Sequence, residues 1–348
     1  MSESVLLSEI AEQPAVLERL FTEGAPEVEA IASTIRARGV HHVVIAARGS
    51  SDNAARYAQY LFGAHNRFTV TLATPSLVTR YRTPPVMSGA LVVGISQSGE
   101  SPDLIAVVEE GRRQGCPTLA ITNAAGSPLA AAADHTIVLR AGQERSIAAT
   151  KTYTAQLAAL AMLSTAIAQK DEWRRELADV PSFVAAAHAV DREAVLAAAR
   201  ALQHAGHGVV LGRGFNFATA FEAALKAKEL AYVAVEPYSS ADFQHGPIAL
   251  IDTGFAAIVI NAAGAVSSEV EALLGTIAER GARPVVISNV PSSLALAAAP
   301  IPIPAGMPEW LSPIAAIVPG QLLAFHLSRL RGFDPDQPRG LKKVTKTT

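Results

Sequence analysis

"ALVVGISQSGESPDLIAVVEEGRRQGCPTLAITN" (residues 90–123) and "FAAIVINAAGAVSSEVEALLGTIAERGARPVVISN" (255–289) read as two copies of one unit. Each runs from an apolar strand through a turn into a helical stretch. Each then closes on a glycine (Gly115 or Gly281) and enters a second apolar strand ending in asparagine (Asn123 or Asn289). Continuous apolar runs of strand length, alternating with helical stretches, are the pattern of β-α-β units around a parallel sheet buried on both faces. The repeat extends outward. "HVVIAARGSSDNAARYAQYLF" (42–62) is echoed by "GVVLGRGFNFATAFEAALKAKEL" (208–230), a period much longer than that of a solenoid.

The first half reads as strands over 41–49, 68–73, 90–96, 117–123 and 135–139, with helices from Asp52 to about Phe62, over 101–115, and from about Ala148 to Ala168. The expected fold class is α/β: two doubly wound, flavodoxin-like parallel-sheet domains produced by an internal duplication. The expected organisation is an N-terminal helical segment (1–30), a first domain (31–170), a helical linker (171–200), a second domain (201–335) and a tail (336–348).

Composition narrows the function classes. Of 348 residues, 50% are hydrophobic and 17% charged, which describes a core-rich globular chain. Lys plus Arg number 29 against 31 Asp plus Glu, so no nucleic-acid surface or acidic tail is expected. The lone Cys116 excludes an intrachain disulfide and reads as a small buried residue at a strand entry. The opening "MSESVLLSEIAEQP" is too short in apolar character for a signal peptide. No run of about 18 apolar residues appears; "AQLAALAMLSTAIA" (155–168) comes nearest and reads as a buried helix. The expectation is a cytoplasmic protein without membrane contact, whose partners are small molecules or other protein chains. "LGRGFNF" (211–217) lacks the third glycine of a dinucleotide fingerprint, and the nine histidines show no metal-ligand spacing, so neither cofactor nor metal is expected.

The two copies differ in chemistry at the turn after the unit's first strand. The first has "ISQSGES" (95–101) where the second has "INAAGAV" (260–266). The fold tolerates alanines there, so the hydroxyls of the first copy point to function. In open α/β sheets ligands sit beyond the carboxyl ends of the strands, at helix N-termini, where unpaired N–H groups and the helix dipole favour an anion. Ser96, Gln97, Ser98 and Ser101 stand at such a junction, and Ser50 and Ser51 stand at the equivalent one after the first strand. Helix capping accounts for one serine per helix. A phosphate cradle accounts for the whole set, and the lack of a lysine separates it from a Walker loop.

A second dense region spans 212–252. Glu222, Lys226 and Glu229 fall at i, i+4 and i+7 on one helical stripe, while Phe217, Phe221, Leu225 and Tyr232 form a neighbouring stripe that can face the core. Periodicity alone favours a solvated Glu–Lys–Glu ladder. The position of the stripe, after the second copy's glycine-rich turn, puts its start at a ligand edge. "SSADFQHGP" (239–247) then offers His245 on a polar loop, as a surface residue or as the one side chain here that titrates near neutral pH. "QPRGLKKVTKTT" (337–348) ends the chain with Lys342 and Lys343, either a solvated basic tail or a source of an amine.

"ISQSGES", "RGSS" (48–51), "ERSIAATKTYTAQLAALAML" (144–163), "EIAEQP" (9–14) and "DQPRGLKKVT" (336–345) together resemble the sugar isomerase (SIS) family, and within it the isomerase half of glutamine–fructose-6-phosphate aminotransferase. The resemblance covers nearly the whole chain. It implies that Ser50, Ser51, Ser96, Gln97, Ser98, Ser101 and Ile147 bind a sugar phosphate. It implies that Glu229 shuttles a proton between C1 and C2 of the open-chain sugar, with Glu222 and Lys226 orienting sugar and base. It also implies that His245, supplied by the partner subunit of a homodimer, assists ring opening, and that Lys343 forms a Schiff base with the ketose. Lys342 stands where the family tends to have a small residue.

The chain opens at the family's isomerase boundary, with no glutaminase domain and no N-terminal cysteine. The expected activity is therefore an amino-sugar-phosphate deaminase/isomerase that converts glucosamine 6-phosphate to fructose 6-phosphate and ammonia. Three alternatives accompany it: another phosphosugar isomerase or deglycase, an isomerase subunit fed ammonia from outside, and a non-catalytic sugar-phosphate sensor. A sensor predicts loss of the base or the histidine, and both Glu229 and His245 are present.

Overall fold

A computed structural model describes residues 4–343. It divides into two compact units. The first holds Ala15–Glu144, Lys151–Asp179 and 342–343; the second holds 4–14, Arg145–Thr150 and Val180–Leu341.

The first unit is built on five strands: β1 (His42–Ala46), β2 (Thr69–Leu72), β3 (Ala90–Ile95), β4 (Thr118–Thr122) and β5 (His135–Val138). All pair in parallel, in the order β2-β1-β3-β4-β5. Every residue of β3 and β4 is buried, which is why these stretches read as unbroken apolar runs. β1 pairs with β3 from His42↔Ala90 to Ala46↔Gly94, so both strands end together at one edge. Helices α1 (Ser50–Asn66), α2 (Pro102–Arg113) and α3 (Lys151–Ala168) connect and cover them. α1 begins at Ser50, two residues before the expected start, directly after Gly49. α3 begins at Lys151 rather than Ala148, and Lys151–Ala166 are buried all round. Burying all faces requires the apolar and small side chains of 155–168, which is why this stretch reads as a buried helix.

The second unit repeats the plan with β6 (His207–Gly212), β7 (Ala234–Ser239), β8 (Ala256–Asn261), β9 (Val285–Ser288) and β10 (Ala299–Pro302). Read from its other edge, the sheet runs β7-β6-β8-β9-β10. This is the order of the first sheet strand for strand, and it establishes two doubly wound α/β domains from a duplication. Helices α4 (Phe217–Ala231) and α5 (Ser267–Glu279) follow β6 and β8, and α6 (Ser312–Leu330) lies deep in the unit. The window Glu309–Leu330 is long and apolar enough by composition to cross a membrane, yet 94% of it is buried in the fold, as for a core helix. One core cluster gathers Val209, Leu211, Phe243, Val259, Leu274 and Val286 from strands and helices of this unit.

Candidate active site

In a sheet of this order, successive connections leave in opposite directions from β1 and β3, and the crevice beyond their carboxyl ends is where such folds receive ligands. Six of the nominated residues lie on those two loops. Ser50 opens α1 half-buried, and Ser51 is buried with its hydroxyl accepting a hydrogen bond from Gln156 Nε2 at 2.9 Å. After β3, Ser96 is buried and its Oγ accepts the N–H of Gly99 at 3.1 Å; Ser98 Oγ accepts the N–H of Glu100 at 3.3 Å. The Gln97 carbonyl accepts from the Asn123 N–H at 3.1 Å and from Thr122 Oγ1 at 3.3 Å, which ties the turn to the end of β4.

Ser101 occupies the N-cap of α2, but its side chain makes no capping bond, so capping does not account for its hydroxyl. Gly99 has φ +65°, and a Cβ there would lie 2.1 Å from Ser127 Oγ, so only glycine fits both the turn and the space. The loops from β1 and β3 are clamped to each other: Arg48 donates to Asp103 Oδ2 through Nε at 3.0 Å and Nη2 at 2.8 Å, and Asp103 is buried in the first turn of α2. Half-buried hydroxyls of Ser50, Ser98 and Ser101, gathered at two helix N-termini, can together hold an oxyanion without a lysine.

The second unit carries the charged helix. The structure inverts the expected faces of α4. Glu222 is fully buried and Lys226 is 1% exposed, while Phe217, Phe221 and Leu225 are only half-buried. The stripe is not a solvated ladder. Lys226 Nζ lies 2.6 Å from Glu229 Oε2 and 3.4 Å from Glu222 Oε1, so each charge finds its partner inside the trio and can leave water. Burial alone disfavours the Lys226 ammonium. The two carboxylates outweigh it and hold the lysine cationic, above its usual range. Two carboxylates and one ammonium leave the trio one negative charge, and it reaches the surface at Glu229, whose side chain is 24% exposed.

His245 is exposed, at the C-cap of the short helix Ser240–Gln244. Ile147 is half-buried in Arg145–Thr150, a segment grouped with the second unit and pinned there by Glu9, whose carboxylate accepts the N–H groups of Arg145 and Ser146 at 2.6 and 3.1 Å. The C-terminal segment docks through Arg339, whose N–H donates to Tyr232 Oη at 2.6 Å while its guanidinium sits 4.0 Å over the Tyr232 ring. In the first unit, Lys343 Nζ donates to Glu144 Oε2 at 2.6 Å; Lys342 is exposed. Cys116 is buried, its thiol donates to the Met87 carbonyl, and burial pushes its pKa up. Among the described residues no group of three His, Cys, Asp or Glu is placed to hold a metal.

Sequence reading did not single out Arg48, Asp103, Gln156 or Glu144. The second copy carries a similar pair, Arg213 with Glu269 at 2.7 Å, but Glu269 stands one position beyond Ser268, the counterpart of Asp103, so aligning the two copies does not mark the partners as joined.

Comparison with known proteins places the chain. The SIS domain pattern matches residues 38–166 and again 201–330. The glutamine–fructose-6-phosphate aminotransferase (isomerizing) of Thermococcus kodakarensis is 33% identical over 348 residues, which is 97% of this chain and 57% of that protein. The chain thus spans little more than half the length of such relatives. The C-terminal domain of glucosamine-fructose-6-phosphate aminotransferase from Francisella tularensis superimposes with a TM-score of 0.88 at 27% identity, covering 97% of this chain and 99% of that one. A glucosamine-6-phosphate deaminase of Thermotoga maritima shares the fold, with a TM-score of 0.80 at 23% identity over 99% of this chain and 100% of that one. The chain belongs to the SIS domain family, carries two copies of the domain, and is homologous to the isomerase half of glutamine–fructose-6-phosphate aminotransferase.

Proposed function

We propose that this chain is a phosphosugar isomerase that acts on an amino sugar 6-phosphate, converting glucosamine 6-phosphate and water to fructose 6-phosphate and ammonia. The reading assigns the phosphate to Ser50, Ser51, Ser96, Gln97, Ser98 and Ser101, with Ile147 against the substrate. It assigns the reacting carbons to Glu229. With the ring opened, Glu229 takes the proton from C2 and returns it to C1. The aldehyde becomes a hydroxymethyl group and the C2 amine becomes a ketimine. Water adds to that imine and ammonia leaves, which yields the ketone. His245, exposed on its loop, serves ring opening in a second copy of the chain, so the working form is a homodimer.

The observation that carries this reading is the Glu222–Lys226–Glu229 trio, with Glu222 and Lys226 buried. Burying those two charges costs several kcal/mol per ion before pairing, and apolar residues of similar size would stabilise a helix at least as well. A base held by a buried ammonium, with one carboxylate reaching the surface, is what a C1–C2 proton transfer requires. The names carried by the relatives support the substrate class.

The test is incubation with glucosamine 6-phosphate, with ammonia and fructose 6-phosphate both assayed. Glu229→Gln should lower turnover roughly 10²- to 10⁴-fold and leave sugar-phosphate binding intact. Ammonia release at the wild-type rate in that variant would remove Glu229 from its role. Binding of the sugar phosphate with no turnover by the wild-type chain would mark a sensor.

A further inference from the structure

The C-terminal lysine has a built seat. Glu144 is 4% exposed as a residue, and its side chain is fully buried. Thr152, in the first turn of α3, fixes it twice: the backbone N–H donates to Oε1 at 3.1 Å and Oγ1 donates to Oε2 at 2.8 Å. The same Oε2 receives Lys343 Nζ at 2.6 Å across 199 residues of sequence. A buried carboxylate is costly unless paired, so the fold has a strong reason to bring one cation to this spot, and Lys343 is the cation it receives. Lys342, one residue away, stays exposed.

We infer that Glu144 is the positioning residue for Lys343, selecting it over Lys342 as the amine that joins the ketose. The inference rests on the reading of Lys343 as a Schiff-base lysine. In that step the lysine nitrogen bonds to the carbonyl carbon of the open-chain ketose and the C=O bond breaks. Two protons of the ammonium leave with the oxygen as water, and the third stays on the nitrogen. Ammonium plus ketone becomes iminium plus water, so the positive charge sits on the same nitrogen before and after. A carboxylate fixed 2.6 Å away serves both ends of the step. Between them the amine must be neutral, and Glu144 Oε2 keeps the nitrogen in place while the shed proton passes to the departing hydroxyl.

The experiment uses the full chain with fructose 6-phosphate, sodium borohydride to fix the imine, and peptide mapping by mass spectrometry. Fructose 6-phosphate affinity is measured alongside. Wild type should be labelled on Lys343. Glu144→Gln should bind the sugar phosphate as before, yet lose label on Lys343 roughly 10- to 100-fold, the cost of misplacing a reacting group by about 1 Å. Glu144→Asp, which keeps the charge but shortens the reach, should recover part of that loss and carries the test if the glutamine variant does not fold. Undiminished label on Lys343 in Glu144→Gln, or in Glu144→Asp where the glutamine variant does not fold, would overturn the inference alone. Joint loss of label and sugar-phosphate binding would show Glu144 to be merely structural and overturn it too. A wild-type chain that never takes label would instead overturn the Schiff-base reading on which the inference stands.

Discussion

After its third strand the first unit carries Ser96-Gln97-Ser98-Gly99-Glu100-Ser101; at the matching place the second carries Asn261-Ala262-Ala263-Gly264-Ala265-Val266. The frames around the two loops are alike. Each lies at the point where the strand order reverses, and each is clamped by an arginine of the preceding loop, Arg48 to Asp103 and Arg213 to Glu269. The occupants differ. In the second unit a carboxylate of the chain itself fills the turn: Glu309 Oε2 accepts the Ala265 N–H at 2.7 Å. The first unit lines the same place with hydroxyls. The second copy's frame seats a carboxylate of its own chain. The proposed reading gives the first copy an oxyanion from outside.

The two glycines give the sharpest way to break that comparison. At Gly99 a Cβ meets Ser127 Oγ at 2.1 Å and Cβ of the same serine at 2.5 Å, with φ at +65°. At Gly264 a Cβ meets the Glu309 carboxylate at 2.2 Å, but the backbone is outside the left-handed region and the obstacle is the end of a flexible side chain. Gly99→Ala should cost about 2–5 kcal/mol, from left-handed strain plus overpacking. Gly264→Ala should cost about 1 kcal/mol, the net loss of one hydrogen bond. Urea unfolding of the two variants side by side measures the difference. Equal costs would mean that the two turns are not built as described.

Next in size is the exchange of first-copy chemistry for second-copy chemistry. Ser98→Ala combined with Ser101→Ala removes two of the five serine hydroxyls, at positions where the second copy carries Ala263 and Val266. Hydrogen bonds to a charged group contribute about 1.5–3 kcal/mol each, so sugar-phosphate affinity should fall at least roughly tenfold. Stability should move by less than about 1 kcal/mol, because Ser101 makes no capping bond and Ser98 serves one exposed N–H. Calorimetric titration with fructose 6-phosphate, next to a melting curve, separates the two effects. An unchanged affinity would take the loop out of phosphate binding.

What the sequence makes legible depends on the kind of signal each element gives. Buried parallel strands announce themselves as apolar runs, and five of the ten strands were bracketed in the first half on that basis. β7 and β10 were not read. They carry Pro237, Pro300 and Pro302, which a central strand excludes but which an edge strand, paired on one side only, accepts. The serine loop was legible because the duplication supplied an internal control. The orientation of α4 was not, because helical periodicity assigns faces by polarity and cannot foresee charges that satisfy one another inside the fold. Ion pairs such as Arg48–Asp103 and Lys343–Glu144 join residues 55 and 199 positions apart, so only the topology brings them together.

The smallest expected effect tests what makes the seat. Glu309→Ala removes the internal carboxylate and releases the Ala265 N–H at the entry to α5. Loss of one charge-assisted hydrogen bond at an exposed site should cost about 1 kcal/mol of stability. If backbone amides and the helix dipole were sufficient, the variant would gain a second phosphate site per chain. The second copy has Ala262, Ala263 and Ala265 where the first has Gln97, Ser98 and Glu100, and it offers no hydroxyl at those positions. One exposed helix terminus favours an anion by typically 0.3–1 kcal/mol, too little to hold phosphate against water at millimolar concentration. Equilibrium titration with inorganic phosphate should therefore return the wild-type stoichiometry. A second equivalent bound by Glu309→Ala would mean that the backbone turn, rather than the serines laid on it, makes the first unit's site.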